Sequence, residues 1–142
     1  MRHLLNDLET IRNFLEGGFS IFTLKSKKTD SHFTYKVTAS KDRENFWFVS
    51  VLTGPDNLRD YTYIGFIQER RDFIWGKKST IAKDSVSVVA FAWFTRSLKG
   101  GSIPSELEIF HIGRCCKCGK PLTTPESLEM GIGPECRKMK GI

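Results

Sequence analysis

The first 114 residues contain no cysteine, and nowhere in the chain do 18 apolar residues run together. The second absence excludes a membrane-spanning helix, which needs about 20 such residues to cross the hydrocarbon. Histidine is scarce, with three residues at positions 3, 32 and 111. G-x-S-x-G, the turn that exposes a serine nucleophile, is missing. So are the P-loop and G-x-G-x-x-G, the glycine-rich turns that bring backbone amides to phosphates. No Asp/Glu pairing at metal-nuclease spacing stands out. Glu44, Asp56, Asp60 and Glu69 fall in or near polar turns, where carboxylates are ordinarily just solvated. A zinc deaminase needs H-x-E together with P-C-x-x-C. Here Ile112 and Gly113 follow His111, and Arg114 stands before the first cysteine. These absences argue for a protein that is not an enzyme. The opening MRHLLNDLETIRNF carries acidic residues and no unbroken apolar segment, so no export signal is expected. Reduced, clustered thiols then fit a cytoplasmic location.

What is present is an ordinary globular composition: 142 residues, 39% hydrophobic and 27% charged, enough for one domain with its own core or one domain plus a small appendix. The formal net charge of +6 favours polyanionic partners without naming one. Leu4, Leu5, Leu8, Ile11 and Leu15 recur at helical spacing and predict a helix over 3–16, stopped by Gly17-Gly18. Alternating or continuous apolar runs at 19–24, 33–38, 46–52, 61–67 and 73–75, separated by short polar turns, predict an antiparallel meander. Asp84 is placed to cap a helix over 85–98, whose apolar residues widen into a buried face. Glu106 to His111 reads as a last strand. Pro125–Met130, capped by Thr124, reads as one helical turn, and Pro134 opens a second short helix with Cys136 in its first turn. The fold class is α+β: an antiparallel sheet with two helices over 1–105, followed by a small zinc-binding module over 106–142.

That module holds all four cysteines. Cys115 and Cys118 form C-x2-C followed by Gly119, and Cys136 returns after 17 intervening residues. Zinc takes a tetrahedral set of thiolates and imidazoles, and a C-x2-C turn offers two sulfurs to one ion. His111, four residues upstream, completes the best set: His111, Cys115, Cys118 and Cys136. Cys116 is an alternative to His111, although neighbouring side chains point apart. A carboxylate, a water or a ligand from elsewhere is a further alternative. A knuckle of two cysteines and a third in the first turn of a helix resembles a treble-clef-like or zinc-ribbon-like site. Four protein ligands this close favour a closed, structural ion.

Gly113-Arg-Cys-Cys-Lys-Cys-Gly-Lys-Pro-Leu122, Thr124-Pro-Glu-Ser127 and Gly131-Ile-Gly-Pro-Glu-Cys136 resemble a short zinc-finger-like domain of uncharacterised function. It is common at the C-termini of small bacteriophage and prophage proteins. Val51-Leu-Thr-Gly-Pro-Asp-Asn57 and Asp60-Tyr-Thr-Tyr-Ile-Gly65 are loosely similar to the upstream part of such proteins. The resemblance implies Cys115, Cys118 and Cys136 as ligands with His111 as the fourth. It also implies a life in the host cytoplasm, in phage genome handling or in interference with a host system. It implies no reaction.

Arg114, Lys117, Lys120, Arg137 and Lys138 surround the cysteines and are the candidate nucleic-acid contacts, for DNA or RNA phosphates. Part of this charge would stabilise metal thiolates whatever the function. The competing expectation is a phage-encoded inhibitor or adaptor that binds a host protein complex, an anti-defence or host-takeover factor. Neither membrane nor small-molecule substrate is expected.

Overall fold

The computed structural model describes residues 3–69 and 72–141. Its elements are β1 (His3–Leu4), α1 (Leu8–Leu15), β2 (Phe19–Ser26), β3 (His32–Ala39), β4 (Trp47–Leu52), β5 (Tyr61–Ile67), β6 (Phe73–Trp75), α2 (Val86–Lys99), β7 (Leu107–His111), α3 (Pro125–Met130) and α4 (Pro134–Lys140). The seven strands form one antiparallel sheet in the order β1-β7-β2-β3-β4-β5-β6. No helix among the described residues is long and apolar enough to cross a membrane.

The meander from β2 to β6 follows from period-two patterning. Phe22 and Leu24 of β2, Tyr35 and Val37 of β3, and Val49 and Val51 of β4 lie on one face, all buried. The long helix α2 covers that face with Val88, Phe91, Phe94 and Leu98. Phe91 meets Tyr35 and Phe22 with ring centroids 4.9 and 6.4 Å apart. Tyr35, whose phenol is pushed well above its ordinary range by burial, donates its O–H to the Ser87 carbonyl at 2.6 Å. The start of α2 differs from expectation. Ser85, not Asp84, is the N-cap, and no side chain bonds the free amides there.

The N-terminal helix is also shorter than its leucine spacing predicts. His3 and Leu4 pair with His111 and Phe110 as an edge strand, and the Leu5 N–H donates to the Ile109 carbonyl at 2.8 Å. Asp7 opens α1 by accepting from the Thr10 N–H. Leu4 and Leu5 therefore serve the sheet, while Ile11, Phe14 and Leu15 form the buried stripe of α1. The Arg12 guanidinium donates to the Leu98 carbonyl near the end of α2, and Ser20 Oγ donates to the Phe14 carbonyl.

β7 lies second from the edge, paired with β1 on one side and with β2 from Ser26↔Leu107 to Phe22↔His111 on the other. Residues beyond 105 thus complete the sheet of the residues before it. Cys115, Cys116, Ile132 and Cys136 belong to the same buried cluster as Ile11, Phe14 and Phe22.

Candidate metal centre

After β7 the chain makes a small hairpin. Arg114 and Pro121 form an antiparallel bridge. The Leu122 N–H donates to the Gly113 carbonyl, Cys115 N–H to Lys120, and Gly119 N–H to Cys115, at 2.8 to 2.9 Å. Gly119 takes φ +77°, which closes the turn and favours glycine after the second cysteine. α3 follows, with Thr124 Oγ accepting the Ser127 N–H at 3.2 Å and Pro125 in the first position. Gly131 ends α3 in the left-handed region, φ +72°. Gly133 and Pro134 then start α4, which places Cys136 in its first turn.

This path brings Cys115, Cys118 and Cys136 together, with all three sulfurs within 4.8 Å of one another. Three thiols at that separation could hold one metal ion. Tetrahedral zinc with Zn–S bonds of ~2.3 Å needs sulfurs ~3.8 Å apart, inside that limit. The local electrostatics fit a cation. Burial pushes the Cys115 thiol up, but the N–H groups of Gly133, Cys118 and Lys117 and the thiol of Cys118 outweigh it, leaving it down at about 7. The Gly133 and Lys117 N–H groups donate to Cys115 Sγ, each at 3.4 Å. Burial, then the neighbouring sulfurs of Cys118 and Cys115, push Cys136 up to about 11. The first negative charge in the cluster is therefore stabilised by backbone amides. A positive ion between them would favour ionising Cys136 beside it. The cluster opens into a groove of about 280 Å³ lined also by Lys120, Leu122, Ser127 and Glu135.

His111 does not join this group. It is buried in β7, and both ring nitrogens are committed to the backbone. The Gly113 N–H donates to Nδ1 at 3.0 Å, so Nε2 carries the proton and donates to the Leu128 carbonyl at 2.6 Å. Its ring stacks on His3, centroids 5.0 Å apart, and tilts against Phe14 at 5.5 Å. Burial lowers its pKa, the Leu128 bond raises it and His3 lowers it, with a net fall. His111 ties β7 to α3.

Cys116 points away from the other three into the core, as adjacency to Cys115 implies. Its Sγ lies at the Gly17 backbone, and burial, followed by the charge of Cys115, pushes its thiol up to about 12. Its carbonyl accepts from the Phe19 N–H and its N–H donates to the Gly131 carbonyl, so the knuckle is pinned between β2 and α3.

The basic residues divide into two kinds. Arg114 Nη1 donates to the Gly119 carbonyl at 2.8 Å, and Arg137 pairs with Glu126 and is largely buried. The side-chain ammonium groups of Lys117, Lys120, Lys138 and Lys140 make no hydrogen bond or ion pair among the described residues. Lys120, Lys138 and Lys140 are exposed, and Lys117 is half-buried. Lys36, between Tyr35 and Val37 in β3, is occupied. Its ammonium donates to the Leu58 carbonyl and sits over the rings of Phe19 and Tyr61, 5.3 and 4.9 Å from their centroids.

The sequence marks Ser127 only as part of a helical turn. In the structure it is 1% exposed and lines the groove beside the three sulfurs, its Oγ without a hydrogen-bond partner. The one available signal was its place in the Thr124-Pro-Glu-Ser127 string.

No curated protein matches this chain, and neither does any solved structure. Residues 106–139 match a family of unknown function (DUF6011), and that match together with the three converging cysteines fits a small metal-binding module at the C-terminal end of the sheet.

Proposed function

We propose that this is a zinc-binding, non-enzymatic protein of the small bacteriophage type that contacts nucleic acid through the basic surface of its metal module. The observation that carries the metal is the convergence of Cys115, Cys118 and Cys136 on a knuckle and a helical first turn, with backbone N–H groups aimed at Cys115. Thiolate-rich tetrahedral sites select zinc over harder ions. An ion there would tie the knuckle to α4 beside the core that the segment shares with α1 and β2. A treble-clef-like arrangement is the reading that a knuckle followed by a helix-borne cysteine favours.

Support for nucleic acid comes from Lys117, Lys120, Lys138 and Lys140 of the cysteine module, whose ammonium groups make no hydrogen bond or ion pair among the described residues. Phosphate contact through such groups releases counterions, so affinity falls with salt by a slope of about −0.7 to −0.9 per contact. Changing all four lysines to Gln should leave the metal in place and reduce the slope on random duplex or single strands by roughly three to four units. Arg114 and Arg137 are kept, because they hold the Gly119 carbonyl and Glu126. No binding by wild type at ~50 mM salt, or an unchanged slope in the metal-loaded variant, removes the nucleic-acid reading. The alternative then leads: a phage-encoded inhibitor or adaptor gripping a host protein. Val86 and Val89, 70% and 51% exposed on α2, offer the apolar surface such a contact uses. Capture of one host protein that survives nuclease and high salt, and is lost with Val86→Ser and Val89→Ser, identifies that case.

A further inference from the structure

We propose that the protein supplies only three ligands to the metal, and that Ser127 holds a solvent-derived fourth ligand, which small Lewis bases such as imidazole can replace. This rests on the metal reading above and goes beyond it, because the site becomes chemically open rather than closed.

Three observations converge. Tetrahedral zinc requires a fourth donor, and the cluster contains three sulfurs. His111 is the nearest histidine in sequence, but both its ring nitrogens are bonded to backbone, and freeing either breaks a tie to Leu128 or Gly113. Cys116 Sγ is turned into the core at Gly17. Ser127 Oγ is the independent pointer. It is a buried hydroxyl with no hydrogen-bond partner, on the wall of the groove into which Cys115, Cys118 and Cys136 open. A buried polar group left unbonded costs about 1–3 kcal/mol, so a partner is expected there.

The hydroxyl bonds none of the three sulfurs. A neutral serine oxygen is also a weak donor to an ion already held by soft thiolates. It is well suited to accept from, or donate to, a solvent molecule bound at the fourth position. The groove gives that position access to outside ligands. Lys120 and Glu135 line the same groove.

The test uses the full chain with cobalt(II) in place of zinc. Thiolate-to-cobalt charge-transfer absorbance should correspond to three sulfurs, and imidazole should shift the visible bands of the wild type. Ser127→Ala should keep the three-thiolate charge-transfer absorbance but loosen the bound solvent, so that imidazole shifts the visible bands at several-fold lower concentration. His111→Asn should leave the bands in place. X-ray absorption of the zinc form provides a second measurement should Ser127→Ala not fold: three sulfurs and one oxygen at the metal are expected. A wild type indifferent to imidazole, a folded Ser127→Ala variant with an unchanged imidazole response, or bands altered by His111→Asn would overturn the inference while leaving the metal site intact. Failure of the wild type to take up one equivalent of cobalt would overturn both.

Discussion

Replacing His111 separates a structural knot from a metal ligand. His111→Ala deletes the bond to the Leu128 carbonyl and the one from the Gly113 N–H, and empties the space between the rings of His3 and Phe14. Leaving two partly buried backbone groups unpaired costs about 1–2 kcal/mol each, and losing the ring contacts about 1 kcal/mol more. The expected destabilisation is therefore about 3–5 kcal/mol. The two isosteres divide it. Asn places an oxygen near Nδ1 and should recover the Gly113 bond, whereas Gln places an amide near Nε2 and should recover the Leu128 bond, each worth about 1 kcal/mol. pH adds a second signature. The folded imidazole titrates below its ordinary value of about 6.5, mainly through burial. Below that pH the unfolded chain takes up a proton that the folded chain does not. Stability falls on acidification until the folded pKa is passed, by at most about 1.4 kcal/mol per pH unit from this group. His111→Gln should lack that component. The assay is urea unfolding at fixed free zinc, since metal release is linked to unfolding. A His111→Ala variant that stays within 1 kcal/mol of wild type, or that folds but loses its metal, would refute the reasoning.

Two glycines should respond in opposite directions. A methyl group on Gly17 would lie 2.5 Å from both the carbonyl oxygen and Sγ of Cys116, so Gly17→Ala should cost about 1–3 kcal/mol in urea unfolding. Gly100, at φ −73° with its nearest neighbour 3.4 Å from a new Cβ, should accept Ala and gain up to about 1 kcal/mol. Chelation of the metal should expose the amides of residues 112–141 to hydrogen exchange, and should also loosen β7 and the end of α1, which share a core with Cys116 and Ile132. The β4–β5 pairing should stay protected, and loss confined to residues beyond 112 would contradict this. Cys118→Ser should weaken metal binding far more than Cys116→Ser, measured by competition with a zinc chelator.

The meander was legible because β2 to β5 are alternating or continuous apolar runs of strand length divided by polar turns. The short helices were legible from Thr124, Pro125 and Pro134, whose caps and fixed φ act locally. β1 was not: two residues carry no period of their own, and Leu4 and Leu5 also fit the helical stripe of α1. The three converging cysteines follow from spacing, and so does the turning-away of Cys116. The role of His111 does not, because its partner is the carbonyl of Leu128, 17 residues on, and a carbonyl leaves no mark on the sequence. Ser127 was hidden for a related reason, since burial of a single hydroxyl depends on how α3 folds back over the knuckle. Gly17-Gly18 reads correctly as a stop, yet the first glycine has a second duty, making room for Cys116.

The place of β7 in the sheet sets an order of events during synthesis. β2 leaves the ribosome about 80 residues before its neighbour, and at roughly 5–20 residues per second that is a wait on the order of 4 to 16 s. The hairpins β2–β3, β3–β4 and β4–β5 can zip as they emerge, but the other side of β2 stays an unpaired row of amides and carbonyls. An open strand edge of this kind invites pairing with another chain. β1, made first of all, has no strand to join until β7 appears. Cys115 and Cys118 follow β7 closely, but Cys136 comes 25 residues after His111, so a metal held by all three sulfurs would be captured only after that edge is sealed.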